Sequence, residues 1–395
     1  MSNLFKGRRA RRKSESPWIP DLVMAQRSFG LKLLARLVDQ FPGRNIFFSP
    51  ADLGSALALL YNGAGGSTRR AIAEALGLRD ITPDQLNQFF AAYQSLMNSP
   101  AGEVDLAKAS ALWVKAGSRL NNEFVRLGVE WFDIEISQVD FKDPQTRIAI
   151  NTWVANKTRG LIESTSGSVG PESILLLTSA LYFKGLWALP FDPSLTKERS
   201  FTTYKGSRKN VPMMSKTSEF HYLENRDFQA VRLDYKGGQF SLTLFLPAAQ
   251  SDLQGFQATL SAKRWGRWMR QFKLRPGTVM LPRFQVKFNA SLHRAFEALG
   301  LGVLFDPDSA NLDGIMSDGP SPFLTGVQHQ AFVDLDEEGT EAAAATELLL
   351  AVSYTPRPPK VFLMMVDRPF FFAIQDNAAG IPLFLGSVYD LETAL

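Results

Sequence analysis

The 395 residues hold 45% apolar and 21% charged side chains, enough for a large soluble core, with no low-complexity tract or repeat. The absence of cysteine excludes disulfides, thiol catalysis and cysteine-ligated metal, and the net charge of +4 is local in origin. Lys6, Arg8, Arg9, Arg11, Arg12 and Lys13 precede every acidic residue, and without them 37 basic residues face 39 acidic ones. Residues 1–17 therefore read as a basic, disordered arm and 18–395 as a single domain. The paired arginines are not followed by the apolar stretch of an export signal, and no run of about 18 apolar residues exists to span a membrane. The cytoplasm is the default compartment, although a cysteine-free chain suits an extracellular or periplasmic one equally.

The first half of the domain reads as mostly helical. Leu33, Leu34, Leu37, Val38 and Phe41 form one stripe of a helix over Ile19–Phe41, ended by Pro42-Gly43. Ser49-Pro50 is an N-cap followed by proline at the first helical position, opening a helix that stops at Gly63. A third helix runs over Thr68–Leu76 with Ser67 as cap, and a fourth over Thr82–Met97. Strands are expected over Val104–Val114 and Ile134–Phe141, then a helix from Asp143-Pro144 to Gly160. Ile174–Phe183 is apolar almost throughout, as a central strand buried on both faces must be.

The second half alternates β segments with short helices. Phe220–Asn225, Ala230–Tyr235 and Phe240–Pro247 predict a meander, with a turn at Lys236-Gly237-Gly238. A helix over Leu260–Phe272, strands to Phe288 and a helix over Ala290–Leu299 follow. The chain closes on strands at Ala331–Leu335, Val361–Val366, Phe370–Gln375 and Pro382–Tyr389. This segregation predicts an α+β domain.

Enzyme constellations fail one after another. His221, His293 and His329 are the three histidines, and their spacing offers neither a helical metal face nor an HExxH motif. There is no GxSxG elbow, because Ser166 stands where the first glycine of the Ser168 segment is needed. No metal or cofactor site is expected. Lys263, Arg264, Arg267 and Arg270 form a basic patch, with Lys273 and Arg275, that suits weak polyanion binding; Trp265, Trp268, Met269 and Phe272 at helical spacing read as the buried face instead.

The segment from about Glu337 to Lys360 is too long for an ordinary connection inside a compact domain. Gly339 supplies a pivot, small residues follow, then apolar ones, then Pro356, Pro358 and Pro359. Taken with period two, Thr340, Ala342, Ala344, Thr346 and Leu348 share one side. Glu341, Ala343, Ala345, Glu347 and Leu349 share the other, so both glutamates could face solvent if the segment became a strand. Its Ala, Glu and Leu content also suits a short helix.

Six motifs in order then settle a resemblance over about Phe29 to Leu391: Asn45-Ile-Phe-Phe-Ser-Pro50, Ala180-Leu-Tyr-Phe-Lys-Gly-Leu-Trp187 with Pro190-Phe191-Asp192, Pro282-Arg-Phe284, Glu337-Glu-Gly-Thr-Glu-Ala342, Asp367-Arg-Pro-Phe370 and Pro382-Leu-Phe-Leu-Gly386. Together they resemble the signatures of the serpins, suicide inhibitors of serine proteases. The resemblance implies three β-sheets, eight or nine helices, a monomer, no enzymatic activity and an exposed reactive-centre loop. It implies that a protease cuts this loop, is held as an acyl-enzyme in a covalent one-to-one complex, and is inactivated as the loop inserts into the main sheet. Loop insertion is among the general examples of strand addition and stored strain.

Carried onto this chain, the hinge is Glu337, Glu338, Gly339, Thr340, Glu341, Ala342, Ala343, Ala344, Ala345 and Thr346. Thr340 and four alanines can be buried quickly, which favours an inhibitor over a non-inhibitory chaperone, carrier or storage relative. The family's usual spacing from Gly339 puts the scissile bond at Ser353-Tyr354, with Val352 as the neighbouring candidate. These residues suit elastase-like or chymotrypsin-like proteases. Ser49, Ser179, Trp187 and His329 match the region where the sheet opens. Ser179 replaces the family's usual asparagine and Asp52 a common serine, so a shortened hydrogen-bond network is expected there.

Overall fold

The computed structural model describes residues 19–98, 104–163, 170–317, 319, 321–338 and 361–391; the basic arm lies outside them. The chain begins with α1 (Pro20–Gln40), β1 (Ile46–Phe48) and α2 (Pro50–Gly63). Ser49 caps α2 by accepting from the Asp52 N–H, and Pro50 fills the first helical position, where no donor is needed. Then come α3 (Gly66–Leu76), α4 (Pro83–Asn98), β2 (Val104–Lys115), α5 (Asn122–Phe132), β3 (Glu135–Val139), α6 (Gln145–Lys157) and β4 (Leu175–Gly185). The second half comprises β5 (Lys197–Thr202), β6 (Arg208–Glu224), β7 (Phe228–Asp234), β8 (Phe240–Pro247), α7 (Leu253–Ala258), α8 (Ala262–Met269), β9 (Lys273–Pro282), β10 (Phe284–Ser291) and α9 (His293–Phe296). β11 (Leu324–Leu335), β12 (Phe362–Met365), β13 (Phe370–Asp376) and β14 (Pro382–Val388) complete the domain, giving nine α-helices among the described residues.

Two hydrogen-bonded sheets hold these strands rather than the three expected. β6 is 17 residues long; its start pairs with β5 and its end with β7, which fuses two of the three into a single nine-stranded unit. The other sheet has the order β10-β11-β4-β2-β3. α2 lies between the two, packed against β4 on one side and β14 on the other, and nearly all of its residues are buried. An Ala- and Leu-rich helix is suited to that position, since small side chains let two sheets approach it.

Several boundaries differ from the sequence expectation. β5, α5, α7 and the first part of β6 were not signalled, because their polar residues face solvent and Pro212 interrupts β6 on the register with Glu198. α3 starts at Gly66 behind Gly65, with no side-chain cap at Ser67. β10 runs on to Ser291, so the next helix begins at His293 rather than Ala290. β11 begins at Leu324 instead of Ala331, since Gln328-His329-Gln330 hides the apolar signature of a buried strand.

Candidate functional site

β11 pairs with β4 in parallel, from Val327 opposite Leu177 to Val333 opposite Phe183. Both have antiparallel outer neighbours, β10 and β2. A strand turning back from the end of β11 would run antiparallel to β11 and to β4 alike. The seam between them can therefore exchange one parallel ladder for two antiparallel ones, the slightly more stable pairing. The chain leaves β11 at Leu335–Glu338 and returns at Val361, ahead of β12 in the other sheet. Gly339, Thr340, Glu341, Ala342, Ala343, Ala344, Ala345 and Thr346 of the expected hinge, with Val352, Ser353 and Tyr354 of the expected bait, lie outside the described residues.

The described base of this loop is pinned. Arg283 makes a two-pronged bond to Glu337, with Nη2 at 2.7 Å from both carboxylate oxygens, and Thr196 Oγ1 donates to the same carboxylate at 2.6 Å. Burial alone would raise the Glu337 pKa, but the Arg283 and Thr196 bonds outweigh it and hold the carboxyl below its usual range. Phe191 N–H donates to the Glu337 carbonyl, Trp187 Nε1 to the Asp336 carbonyl at 2.8 Å, and Lys184 pairs with Asp336 at 3.0 Å. Trp187 itself is stacked on Tyr235, with centroids 4.7 Å apart.

Midway along the seam a buried polar cluster crosses it. The Ser49 N–H donates to His329 Nε2 at 3.2 Å, and Ser179 Oγ lies 2.9 Å from His329 Nδ1 and donates to Asp52 at 2.6 Å. Since Nε2 accepts and the Ser179 proton is spent on Asp52, the neutral ring carries its hydrogen on Nδ1. Burial lowers the His329 pKa to about 4, against an opposing pull from Asp52. Ser110 Oγ also donates to Asp52 at 3.0 Å, and Lys108 Nζ lies 3.6 Å from it. A serine, a histidine and an aspartate thus meet, but the serine hydroxyl donates to the carboxylate, not to the imidazole. That wiring is the reverse of a nucleophilic triad, and all three residues are sealed from solvent.

The pattern of the family described as "Serpin (serine protease inhibitor)" matches residues 24–391. The chain is a serpin. It is 31% identical to an uncharacterised serpin-like protein of Methanosarcina acetivorans over 94% of this chain and 87% of the relative. Neuroserpin of Mus musculus is 32% identical over 88% and 87% of the two chains. Among solved structures it is similar to the thermophilic serpin tengpin in the native state, with a TM-score of 0.86, 26% identity and 96% coverage of each chain. Protease nexin-1, solved with heparin, has a TM-score of 0.85 and 26% identity, covering 95% of this chain and 100% of that one. As a serpin the chain is a protease inhibitor, not an enzyme, and its function is protease trapping through a covalent one-to-one complex.

Of the four residues matched to sheet opening, Ser49, Ser179 and His329 come together at the middle of the seam, whereas Trp187 sits at the loop base. The expected shortening of the network is incorrect. Asp52 extends it through Ser110 and Lys108 to Gln94 of α4. The signal was present: Lys108 and Ser110 share a parity inside the otherwise apolar run Leu106–Val114 of β2, and Asp52 interrupts an Ala-Leu helix. Arg283 and Thr196 gave no local cue, since their role depends on a contact made far along the chain. On α8, Trp265 is buried against Phe245 and Phe371, as the helical spacing predicted, while Lys263, Arg264, Arg267 and Arg270 face outward.

Proposed function

We propose that this serpin inhibits elastase-like or chymotrypsin-like serine proteases, which cut the Ser353–Tyr354 bond, after which the stretch from Gly339 onward inserts between β4 and β11. The observation that supports it most is the parallel β4–β11 seam, with the loop departing from the end of β11 itself. A hinge of Thr340, four alanines and Thr346 suits a slot lined on β4 by Thr178, Ser179 and Ala180, because small side chains enter without desolvating charge. Glu337 stays behind at the loop base, held by Arg283, and marks where the new hairpin would turn. Val352 as the next candidate position favours elastase-like enzymes. The test is incubation with both protease types, followed by mass spectrometry of the released C-terminal fragment. A new N-terminus at Tyr354 is expected; one at Pro358 would replace this assignment with a trypsin-like one.

A polyanion contact is proposed for α8 on a separate observation. Lys263, Arg267 and Arg270 have no carboxylate partner among the described residues, and Arg264 only caps the Thr259 carbonyl. The Arg27 pKa is lowered by burial and by the neighbouring Arg270, so cations crowd here without counter-ions. Retention on an immobilised sulfated polysaccharide should fall steeply with salt, and Arg267→Ala/Arg270→Ala should elute earlier. Salt-insensitive failure to bind removes the proposal.

A further inference from the structure

Between Met213, where it last pairs with β5, and His221, where it first pairs with β7, β6 keeps β9 as its one strand neighbour. The chain from Trp187 to Phe191 fills part of the gap on the other edge, and a pocket of about 160 Å³ remains beside it. Its floor is apolar, with Trp187, Phe191, Phe220 and Leu233 all buried. Leu189 and Leu274 flank it at 52% and 57% exposure, so apolar surface stays in water at its edge. The charges around it are unequally satisfied. Arg232 is neutralised by Asp234 at 2.9 Å. Lys216 is half-buried, donates to the Pro190 carbonyl at 2.6 Å and has no carboxylate partner among the described residues. Burial accordingly lowers its pKa with no anion to oppose it. Two of the three ammonium hydrogens are left for another acceptor.

We propose that this pocket binds a small monocarboxylic acid with an aromatic or branched apolar body, its carboxylate on Lys216 and its body over Trp187, Phe191 and Phe220. The size fits, since an apolar cavity of about 150 Å³ accommodates benzene. A carboxylate gives the half-buried ammonium the counter-ion it lacks, through bonds about twice as strong as neutral ones. The body covers apolar surface that otherwise faces water, which a bare inorganic anion cannot do. Glu219 stands exposed at the rim and disfavours a ligand carrying a second negative charge. Phe191 holds the Glu337 carbonyl with its N–H and offers its ring to the pocket, so the loop base and the ligand use different atoms.

Binding is measured on the uncleaved full chain, with no protease present, by titration calorimetry. Phenylacetate, its neutral isostere phenylacetamide and acetate, which has the charge without the body, are compared. Phenylacetate should saturate one site, phenylacetamide should bind about tenfold more weakly for want of the charge-assisted bond, and acetate should not saturate. Lys216→Met should bind phenylacetate about tenfold more weakly than wild type does, yet bind phenylacetamide as wild type does, which shows the floor intact. The wild-type comparison decides by itself if the variant does not fold. Equal affinity of wild type for the acid and the amide, or full-strength binding of phenylacetate by Lys216→Met, would overturn the assignment. So would a wild type that phenylacetate never saturates.

Discussion

On the face of β11 that meets α2, His329 has both ring nitrogens bonded, to Ser49 and Ser179. One residue to either side, on the face that shares Ala109, Ala180 and Val154 with α6, Gln328 Oε1 and both amide atoms of Gln330 find no protein partner among the described residues. The same strand is thus over-held on one face and under-satisfied on the other. Buried polar atoms are normally paired, and an unpaired one costs free energy that a rearrangement can recover. A sheet that must stay closed for long periods and then open quickly needs both properties: bonds that set the barrier, and unsatisfied groups that raise the closed state relative to the open one. Which face carries which is a matter of strand parity alone.

The bonded face is open to attack by acid. His329 titrates at about 6.5 when exposed and about 4 in the folded protein, so across that window the unfolded chain binds a proton that the native state refuses. Stability should be intact above pH 6.5 and fall as the pH drops towards 4, by up to roughly 3 kcal/mol from this residue. Protonation also sets a donor on Nε2 against the Ser49 N–H, removing the bond that joins β11 to α2. Urea unfolding across this range should show the slope, and His329→Gln should flatten it. An identical slope in the variant would mean that the acid sensitivity lies elsewhere.

The orphaned face predicts a smaller effect of opposite sign. Gln330→Leu replaces two unpaired amide atoms with a side chain of similar volume, and should stabilise the native protein by about 1–2 kcal/mol. Because that energy is then unavailable to insertion, the variant should also trap protease less efficiently. A destabilised Gln330→Leu would show that the glutamine is satisfied after all, and the contrast between the faces would fail.

Sequence alone reached the outline of this arrangement and missed its middle. The helices α1, α2 and α4 and the strands β4, β8, β13 and β14 were legible because their apolar residues repeat at the period of the element. β11 was cut short where its polar residues begin, and those residues form the seam. A polar triplet in a central strand violates burial patterning, and such violations collect where a protein does its work. Asp52 and Lys108 were visible as misplaced charges, but their partnership joins a helix to a strand 56 positions on and could only be found by folding the chain. The small residues, the alternation and the prolines of the loop are local features of the sequence, and the reading built on them falls on residues outside the described ones.

The most direct measurement is the covalent complex. Wild-type protein incubated with a chymotrypsin-like or elastase-like protease should give a one-to-one complex that survives boiling in SDS. Thr340→Arg, which puts a charge first into the seam, should be cut at the same bond without complex formation. Cleavage of the wild type with no stable complex, or equal trapping by Thr340→Arg, would contradict the account.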